Sequence, residues 1–449
     1  MNRILVLLTV VTAAGALFAG RPVARWDVVP YQAVKGVFKA GVVAYHEKGV
    51  KVEFIINKKS RLTVDEPVLN ERTGVKEYVF PFAPAKFKDG LVNINARVTA
   101  EGEEPYDLPP LPLFANARGA FDPKKTIWVD AKTGNDFDTG EEGSPLKSLK
   151  QAVKKAGDGG LVYLRPGVYS LRMLGGGFDR RFWTRVEPAP GVPPHSVQIT
   201  AGRPGTDKLH FKNLDFTCSI DGDYGAIVMG EGGKSMAWFE NCTFRNLKGR
   251  EGGKAVPFGN KLRAFVTGGS TRDMWQGPVC EILRRHKISS VSGTVFACDN
   301  CLVAECEVDD VDAGGFDDVP DLISCFSVPP KWCSDVICTG VRGTGLNCRA
   351  FSAQQLRDAA FVNVACEGLM SRGAVYSRFS EGLENVIFDK VSAKGQHWLW
   401  MTSKNGRGDL KPKDARLLRC EFGTMDGYAP TDGSAGLLVQ DCTFEGEAK

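Results

Sequence analysis

The sequence predicts an all-β protein, in which a solenoid of stacked short strands with an N-terminal capping helix follows a small β-sandwich. The solenoid is predicted by one apolar pattern (apolar, two residues, apolar, one residue, apolar) that recurs after residue 205, mostly at intervals of about 20–29 residues. The sandwich is predicted by short alternating strands, separated by turn signals, before residue 116.

The repeated pattern explains how the solenoid would bury its core. Its last two apolar positions alternate as in a strand, so both side chains should point inward and the residue between them outward. Asn precedes the middle position at Asn213, Asn241 and Asn363, and Asn tolerates the left-handed conformation of a tight corner. A further coil is expected near Phe265 and Val266. The pattern occurs at Phe211/Leu214/Phe216, Phe239/Cys242/Phe244, Leu283/His286/Ile288, Val303/Cys306/Val308, Cys338/Val341/Gly343, Phe361/Val364/Cys366, Phe388/Val391/Ala393, Leu417/Cys420/Phe422 and Val439/Cys442/Phe444.

The stretch Thr126–Tyr169 predicts where the solenoid begins. A strand at Ile127–Asp130, a loop rich in Gly, Asp and Thr, an amphipathic helix over Ser148–Ala156 and a strand at Leu161–Leu164 follow one another. This order resembles the opening cap of a right-handed parallel β-helix, as in the pectate-lyase-like secreted proteins. The resemblance implies a right-handed parallel β-helix over residues 122–449, with the helix lying across the open end of the first coil.

Residues 1–19 have the layout of a secretory signal peptide. Arg3 is followed by the apolar run Ile4–Leu8 and by small residues that end at Ala19. No later apolar run is long enough to span a bilayer, so no membrane span is expected. The protein is therefore expected to be exported to the periplasm, the cell surface or the extracellular space.

Residues 22–115 predict the small β-sandwich. This part contains no Cys, whereas all 13 lie from Cys218 onward. Its segments VKVEFIINKK and FKDGLVNINARV resemble bacterial immunoglobulin-like modules of secreted proteins, which implies an immunoglobulin-like sandwich acting as a spacer. The linker Pro105–Pro112, with four prolines, marks its boundary.

The net charge limits the classes of partner, and the cysteine positions indicate whether the thiols are buried, oxidised or bound to a metal. The formal net charge of +4 is too small to indicate nucleic acid but is compatible with an acidic polymer. Cys242, Cys306, Cys420 and Cys442 share one inward position of the repeat, which predicts a buried column of thiols. A disulfide between Cys420 and Cys442, on adjacent coils, is geometrically allowed, and no Cys/His spacing indicates a zinc site.

An acidic run provides the first catalytic candidates. The connection after Val308 carries six aspartates, of which Asp317, Asp318 and Asp321 are the candidates for catalysis. Clustered carboxylates can bind Ca²⁺ or act as the acid/base pair of a glycosidase. The competing interpretation is a solvated acidic loop. The spacing matches no calcium-binding repeat, so no metal site is assigned and the cofactor stays open.

Basic and aromatic residues provide further candidates. Arg349 and Arg372 are candidates for the base and the neutralising cation that a polysaccharide lyase needs. Arg378, His397, Trp398 and Trp400 are candidates for substrate binding, because two Trp at positions i and i+2 of a strand point the same way. The competing interpretations are a solvated basic face and inward packing of the Trp side chains. His286 occupies an inward position and is assigned to the core.

Two further segments carry a resemblance. Arg185–Gly191 and Ala360–Val364 resemble a group of exported bacterial β-helix proteins that carry the same front module. Members of that group have His-x-Asp-x-x-Gln where this chain has residues 319–324, and only Asp321 matches. The motifs of polygalacturonases and pectate lyases are absent. The assignment to carbohydrate chemistry therefore rests on fold analogy.

Three functions are compatible with these observations. The first is an exported enzyme, a polysaccharide lyase or glycoside hydrolase, that acts on an acidic polysaccharide. The second is a non-catalytic polysaccharide-binding or cell-surface protein. The third is a structural module that associates end to end, because the last repeat ends at Phe444 with no cap after it and an uncapped coil exposes unpaired strand groups.

Overall fold

The computed structural model describes residues 20–171, 180–202, 207–230, 235–259, 262–312, 320–325, 332–367, 376–400, 413–426 and 436–444. These residues form β-strands, one α-helix and a 3-10 turn at Pro84–Lys86. None of their helices has the length and apolar character needed to cross a bilayer. The predicted signal peptide lies outside the described residues.

Ten short strands form the N-terminal part of the fold. They are β1 Val23–Trp26, β2 Ala33–Val34, β3 Phe38–Tyr45, β4 Lys51–Ile56, β5 Lys59–Val64, β6 Val68–Leu69, β7 Lys76–Phe82, β8 Gly90–Thr99, β9 Tyr106–Asp107 and β10 Leu111–Ala115. One sheet has the order β1-β3-β7-β6, and the other has the order β2-β10-β8-β4-β5 with β9 beside β8. We call them the N-terminal sheet pair.

The N-terminal sheet pair encloses a hydrophobic cluster of its own. Strand β4 shows how the sequence produces it, since Val52, Phe54 and Ile56 are fully buried while the residues between them are only half-buried. This period of two places one side of each strand in the cluster. The segments VKVEFIINKK and FKDGLVNINARV thus contribute the alternating strands β4 and β8.

The chain then forms a strand, the helix and a second strand. Strand β11 (Thr126–Val129) pairs in parallel with β12 (Leu161–Leu164), and the helix α1 (Leu149–Ala156) lies between them in sequence. The Ser148 hydroxyl accepts a hydrogen bond from the Gln151 backbone N–H at 3.3 Å and caps the helix. The apolar face of α1 packs into the large core cluster of the parallel strands.

A parallel sheet of 25 strands forms the rest of the described fold. A separate parallel pair joins β18 (Gly222–Val228) to β21 (Gly253–Phe258). Besides β11 and β12, the sheet contains β13 Gly167–Ser170, β14 Thr184–Pro188, β15 Val197–Thr200, β16 Leu209–Lys212, β17 Asp215–Cys218, β19 Met236–Glu240, β20 Thr243–Asn246, β22 Arg263–Thr267, β23 Ser270–Met274, β24 Ile282–Arg284, β25 Lys287–Val291, β26 Phe296–Ala297, β27 Leu302–Ala304, β28 Glu307–Asp312, β29 Asp321–Cys325, β30 Cys333–Asn347, β31 Arg349–Cys366, β32 Tyr376–Asp389, β33 Ser392–Trp400, β34 Ala415–Leu418, β35 Glu421–Asp426, β36 Leu437–Gln440 and β37 Thr443–Phe444.

Strand pairing places equivalent residues of the repeated pattern side by side. Phe211 pairs with Phe239, which pairs with Val266, and Val266 pairs with Leu283. The column continues through the first pattern positions as far as Val439. Strands β22 and β23 lie where the sequence analysis expects a further repeat, near Phe265. His286 is fully buried, and its ring nitrogens lie 2.9 Å from Thr271 Oγ1 and 2.8 Å from the Gly268 carbonyl, as a core residue requires.

The corners of the parallel sheet confirm the prediction for asparagine. Asn213, Asn241 and Asn363 have φ angles of 58°, 50° and 54°, in the left-handed region. The Asn241 side-chain amide also donates to Asn213 Oδ1 at 2.7 Å, which links two adjacent corners. Asn is favoured there because its short polar side chain supports this backbone conformation.

All 13 cysteines are free thiols. Cys242, Cys306 and Cys420 are buried in the core, and Cys442 is partly buried against it, as the repeat predicts. The Cys420 backbone N–H donates to Cys442 Sγ at 3.3 Å, so the two residues lie side by side, Cys420 between β34 and β35 and Cys442 between β36 and β37. Within this pair, Cys442 is the more exposed thiol.

The N-terminal sheet pair packs against one face of the parallel sheet. Val23, Val43, Tyr45 and Val75 form a buried cluster with Leu302, Ala304, Ile337, Ala360 and Val362. The Tyr45 hydroxyl lies 2.7 Å from Thr339 Oγ1 inside this contact. The outward apolar side chains of β27, β30 and β31 are therefore covered rather than exposed, a contact that the sequence analysis did not anticipate.

We expect Cys442 to be the fastest-reacting thiol of the reduced native protein. The hydrogen bond with Cys420 lowers the pKa of Cys442 to about 7 against the effect of burial, whereas the pKa of Cys420 is raised. Because the thiolate is the nucleophile, iodoacetamide at pH 7.5 should label about one thiol per chain rapidly.

Peptide mapping by mass spectrometry identifies the labelled site. Cys442→Ser should abolish the rapid phase, and Cys280→Ser, which removes a thiol whose pKa burial raises, should leave it unchanged. Rapid labelling that persists in Cys442→Ser would contradict the assignment.

Candidate functional site

An open cleft of about 780 Å³ lies where the N-terminal sheet pair meets the parallel sheet. We call it the Arg284 cleft. Its lining residues with functional groups are Asp27, Gln32, Lys39, Glu77, Trp238, Glu240, Asn241, Thr267, Arg284 and Arg285. The cleft thus combines carboxylates, cations, amides and an aromatic side chain.

Strand register places the wall residues of the parallel sheet. Glu240 pairs with Thr267, and Thr267 pairs with Arg284, so these three residues occupy one column on successive strands. Trp238 lies two residues before Glu240 on β19 and therefore points to the same side of the sheet. On the opposite wall, Asp27 follows β1 and Glu77 lies near the start of β7.

Arg284 joins the two walls. Its Nη1 lies 2.7 Å from Asp27 Oδ2, and its Nη2 lies 2.9 Å from Glu305 Oε2. The same Nη2 also contacts Glu77 Oε1. One guanidinium therefore faces three carboxylates, and only 11% of the Arg284 side chain is exposed. Burial lowers the pKa of Arg284, but the three carboxylates outweigh it and raise the value.

Asp27 has an unusual electrostatic environment. Its side chain is 5% exposed, and Oδ1 is buried without a hydrogen-bond partner. Burial, together with the charge of Glu77, raises the pKa of Asp27 to about 6 against the opposing effect of Arg284. This carboxyl group therefore carries a proton at mildly acidic pH.

An aromatic pair lies on the other wall. The Trp238 and His210 rings are stacked with centroids 3.7 Å apart and an interplanar angle of 6°. Trp238 Nε1 donates to Thr267 Oγ1 at 2.9 Å, which fixes the indole ring. His210 is buried and Trp238 is half-buried, so Trp238 presents part of its ring to the cleft.

Glu240 remains ionised beside this pair. Its Oε2 lies 2.9 Å from His210 Nε2, and its Oε1 lies 2.8 Å from Lys212 Nζ. Burial raises the pKa of Glu240, but the hydrogen bonds from His210 and Lys212 outweigh it and lower the value to about 2. Burial in turn lowers the pKa of His210.

The cleft thus holds two carboxyl groups whose pKa values move apart. At a pH between these two pKa values, Asp27 can donate a proton while Glu240 is an anion. Two carboxyl groups with well-separated pKa values are typical of a catalytic acid and its companion carboxylate. An acid and a carboxylate on the same cleft are the groups that glycosidic bond hydrolysis requires.

Two smaller pockets offer less chemistry. One of about 420 Å³ lies beside Glu305 and contains Arg72, Glu307 and Lys390, but Arg72 already pairs with Glu307 at 3.2 Å. Another of about 230 Å³ is lined largely by prolines and apolar side chains. Its Arg263 pairs with Glu281 at 2.5 Å.

Asp321 and Arg349 are brought together, as a catalytic pair would require. Their backbones pair in register, and Arg349 Nε lies 2.5 Å from Asp321 Oδ1. The Asp321 side chain is 5% exposed and that of Arg349 is 16% exposed. The pair is therefore a largely buried ion pair between neighbouring strands, and its catalytic role stays a prediction.

The other predicted site residues are placed only in part. Asp317, Asp318 and Arg372 lie outside the described residues. Arg378, His397, Trp398 and Trp400 have described backbones on β32 and β33, where Arg378 pairs with Trp400. Their catalytic and substrate-binding roles stay predictions.

The described aspartates that open the acidic run pair with nearby side chains. Asp309 accepts from Thr344 Oγ1 at 3.0 Å, and Asp310 lies 2.8 Å from Arg250 Nη1. Across the described residues, no group of three or more His, Cys, Asp or Glu side chains is arranged to hold a metal ion.

Sequence reasoning missed every carboxylate of the Arg284 cleft. Asp27 and Glu77 belong to the part expected to act as a spacer, and Glu240 lies on a strand chosen only for its inward residues. One signal was available: Leu302, Ile337 and Ala360 are apolar residues at non-core positions of neighbouring strands. A row of such residues indicates a covered face, and functional clefts often lie at the edge of such contacts.

Comparison with known proteins gives a limited result. No model of a known protein family matches the chain, and no curated protein matches it. A solved rhamnogalacturonan lyase is 12% identical, with a TM-score of 0.37, and the alignment covers 71% of this chain and 85% of that one. The GH136 lacto-N-biosidase from Eubacterium ramulus is 11% identical, with a TM-score of 0.36 and coverage of 72% and 67%. Both are carbohydrate-active enzymes, but similarity this distant transfers no reaction to this chain.

We expect Asp27 to make the protein less stable as the pH rises from about 4 to about 6. The folded state binds this proton more tightly than the unfolded chain, whose Asp pKa is about 3.9, so stability falls through this window by about 2–3 kcal/mol. Asp27→Asn stays neutral and should flatten this decline in urea unfolding at pH 4, 5, 6 and 7.

Asp65→Asn, which changes an exposed aspartate of the N-terminal sheet pair, is the matched control and should keep the wild-type slope. If Asp27→Asn and the wild type lose stability equally across this range, the protonation assigned to Asp27 is wrong.

Proposed function

We propose that the protein binds a polysaccharide in the Arg284 cleft and hydrolyses a glycosidic bond there. The observation that carries this proposal is the pair of carboxyl groups on the two walls, with Asp27 buried and protonated at mildly acidic pH and Glu240 held as an anion. Fold analogy alone would not support a reaction, whereas this pair does.

The two carboxyl groups have distinct roles in this proposal. Asp27 lines the cleft and donates its proton to the oxygen of the leaving sugar from Oδ1, which has no hydrogen-bond partner among the described residues. Glu240 faces the positive charge that develops on the sugar ring as the glycosidic C–O bond breaks, and water then adds to that carbon and returns a proton to Asp27. His210 and Lys212 hold that carboxylate in place through hydrogen bonds and keep it ionised.

The remaining wall residues favour an acidic sugar chain. Trp238 offers part of an indole ring against which a sugar ring can stack. Gln32 and Asn241 offer amide groups for hydroxyls, while the exposed Lys39 and Arg285 offer charges for uronate carboxylates. An acidic polysaccharide is the substrate class that this lining matches.

A second candidate function is polysaccharide binding without catalysis. It is favoured by β32 and β33, whose register places Arg378 beside Trp400 and Tyr376 beside Trp398. Four residues of the aromatic and charged types that bind sugars thus occur on two neighbouring strands. This surface would act independently of the Arg284 cleft.

We also propose the organisation that the sequence predicts. Residues 1–19 act as a leader for export, residues 22–115 form an immunoglobulin-like sandwich, and residues 122–449 form a right-handed parallel β-helix capped by α1. Support comes from the two mainly antiparallel sheets around their own core and from the parallel strand pairing that runs from β11 to β37. End-to-end association through the last coil is part of this proposal.

The test of the proposed reaction follows two products in the same wells. The mature protein is incubated at pH 5 with acidic and neutral polysaccharides, with and without Ca²⁺. New reducing ends and the ultraviolet absorbance of unsaturated uronates are recorded, and binding is measured by co-sedimentation. We expect reducing ends without absorbance, and an activity that declines as the pH rises through about 6, where Asp27 loses its proton.

Matched variants assign the site. Asp27→Asn and Glu240→Gln should each lower the rate by about 10²- to 10⁴-fold while the chain still binds polymer. Asp107→Asn, at an exposed ion pair with Arg97, should have no effect.

Reducing ends accompanied by the ultraviolet absorbance of unsaturated uronates would indicate a lyase. Binding lost in Trp398→Ala or Trp400→Ala, with no products from the wild type, would favour the second candidate.

A further inference from the structure

Gly20 lies in a tightly packed joint between the N-terminal sheet pair and the parallel sheet. It is buried, and a β-carbon at this residue would lie 2.7 Å from Asp414 Oδ2 and would clash with Asn385 Oδ1. The next residue is anchored, because Arg21 pairs with Asp335 and Asp358 at 2.7 Å each. Asn385 Nδ2 also donates to the Arg21 carbonyl at 2.9 Å. The backbone at Gly20 is therefore held against Asn385 and Asp414.

The acceptors around Gly20 lack donors. Asn385 Oδ1 and Asp414 Oδ1 are both buried without a hydrogen-bond partner, and so is Glu103 Oε2 nearby. A buried acceptor left unpaired costs about 1–3 kcal/mol, so three in one joint would be a substantial penalty. Native structures normally avoid this, and a further donor beside Gly20 would satisfy Asn385 Oδ1 and Asp414 Oδ1.

The charges of the joint point to the kind of donor. The carboxylates of Glu47, Glu103 and Asp414 face two cations, since Lys48 lies 2.6 Å from Glu103 and Arg416 lies 2.9 Å from Asp414. One negative charge is in excess. Burial raises the pKa of Asp414 to about 6, with Glu47 and Glu103 contributing and Arg416 opposing. A cation with several N–H donors would satisfy both the charge and the acceptors.

We propose that this cation is the α-ammonium group of Gly20, created when the leader is removed at the Ala19–Gly20 bond. In that hydrolysis, water supplies the hydroxyl that leaves Ala19 as a carboxylate, and the Gly20 nitrogen takes up protons to become an ammonium. The new group has three N–H donors on the atom next to the Gly20 α-carbon. It pairs with Asp414 and Asn385 and stabilises the joint, so processing completes the fold. This inference rests on the predicted leader and not on the proposed reaction.

Several titratable groups face the new ammonium or its partners. They come from the loop after β3, the loop after β8, strand β31, the start of β34 with the residue before it, and the start of the described chain: His46, Glu47, Lys48, Glu103, Asp358, Asp414, Arg416 and Arg21. Burial lowers the pKa of His46, so this ring does not compete as a cation near neutral pH. The ammonium beside Asp414 has its pKa raised above the ordinary α-amino value of about 8. Its stabilisation is therefore full below about pH 8 and is lost as the pH rises further.

The first test compares two forms of the purified protein. One begins with the free amine of Gly20, and the other is identical but N-acetylated. We expect the acetylated form to melt at least about 2 °C lower at pH 7. The difference should shrink as the pH rises above the raised pKa of the amine. It should be absent in Asp414→Asn and retained in Asp107→Asn. Equal melting temperatures at pH 7, or a difference that survives in Asp414→Asn, would overturn the proposal.

Two further measurements keep the proposal testable if Asp414→Asn fails to fold. The intact mass of the protein exported from a bacterial host should place its first residue at Gly20, and a different first residue would overturn the assignment. In the native Gly20 form, an amine-acetylating reagent at pH 7 should modify the α-amine at least tenfold more slowly than in urea. An α-amine that reacts equally fast in both would also refute the pairing. If a bound alkali cation filled the joint instead, the two forms would melt alike and stability would depend on the salt.

Discussion

The ion cluster around Arg284 determines how the two parts of this protein meet. A guanidinium cannot release its proton, so it remains a single fixed charge among Asp27, Glu77 and Glu305. Three carboxylates around one cation leave an excess of negative charge in a poorly solvated place. That excess is relieved at Asp27, because this carboxyl is buried and the charge of Glu77 acts on it. The chemistry assigned to the cleft is therefore a consequence of how the joint is assembled.

The position of the cleft follows from the covered face of the parallel sheet. Apolar residues such as Leu302, Ile337 and Ala360 bind the N-terminal sheet pair, and this contact excludes water. At the edge of the contact the outward residues become charged or aromatic, as at Arg284, Glu240 and Trp238. Polar groups at such an edge are partly desolvated and yet reachable, which strengthens their interactions with a ligand. A spacer that did not dock would leave the same residues fully solvated.

The sequence predicts structural features that depend on residues close together in the chain. It does not predict contacts between residues far apart in the chain. The columns from Phe211 to Val439 and the left-handed corner at Asn241 follow from a short repeated pattern, since each coil must bury the same positions. The contact of Arg284 with Asp27 joins residues 257 positions apart, and no periodicity encodes it. Asp321 and Arg349 show a different limit, because the sequence indicates a role for them but not the register that pairs them. Their residue types indicate catalysis, but their register makes them a buried ion pair between strands.

The same physical rule governs both joints between the two parts. In each, more carboxylates than cations are buried together, and the pKa of one aspartate, Asp27 or Asp414, rises to about 6. The outcomes differ because the joints differ in access. Asp27 lines an open cleft, so its excess proton is available to a bound molecule. Asp414 lies against the buried backbone of Gly20, where a fixed cation of the chain itself can balance it. An excess of carboxylates over cations thus provides a proton for a reaction in the open cleft. In the buried joint, the same excess stabilises the contact between the two parts of the protein.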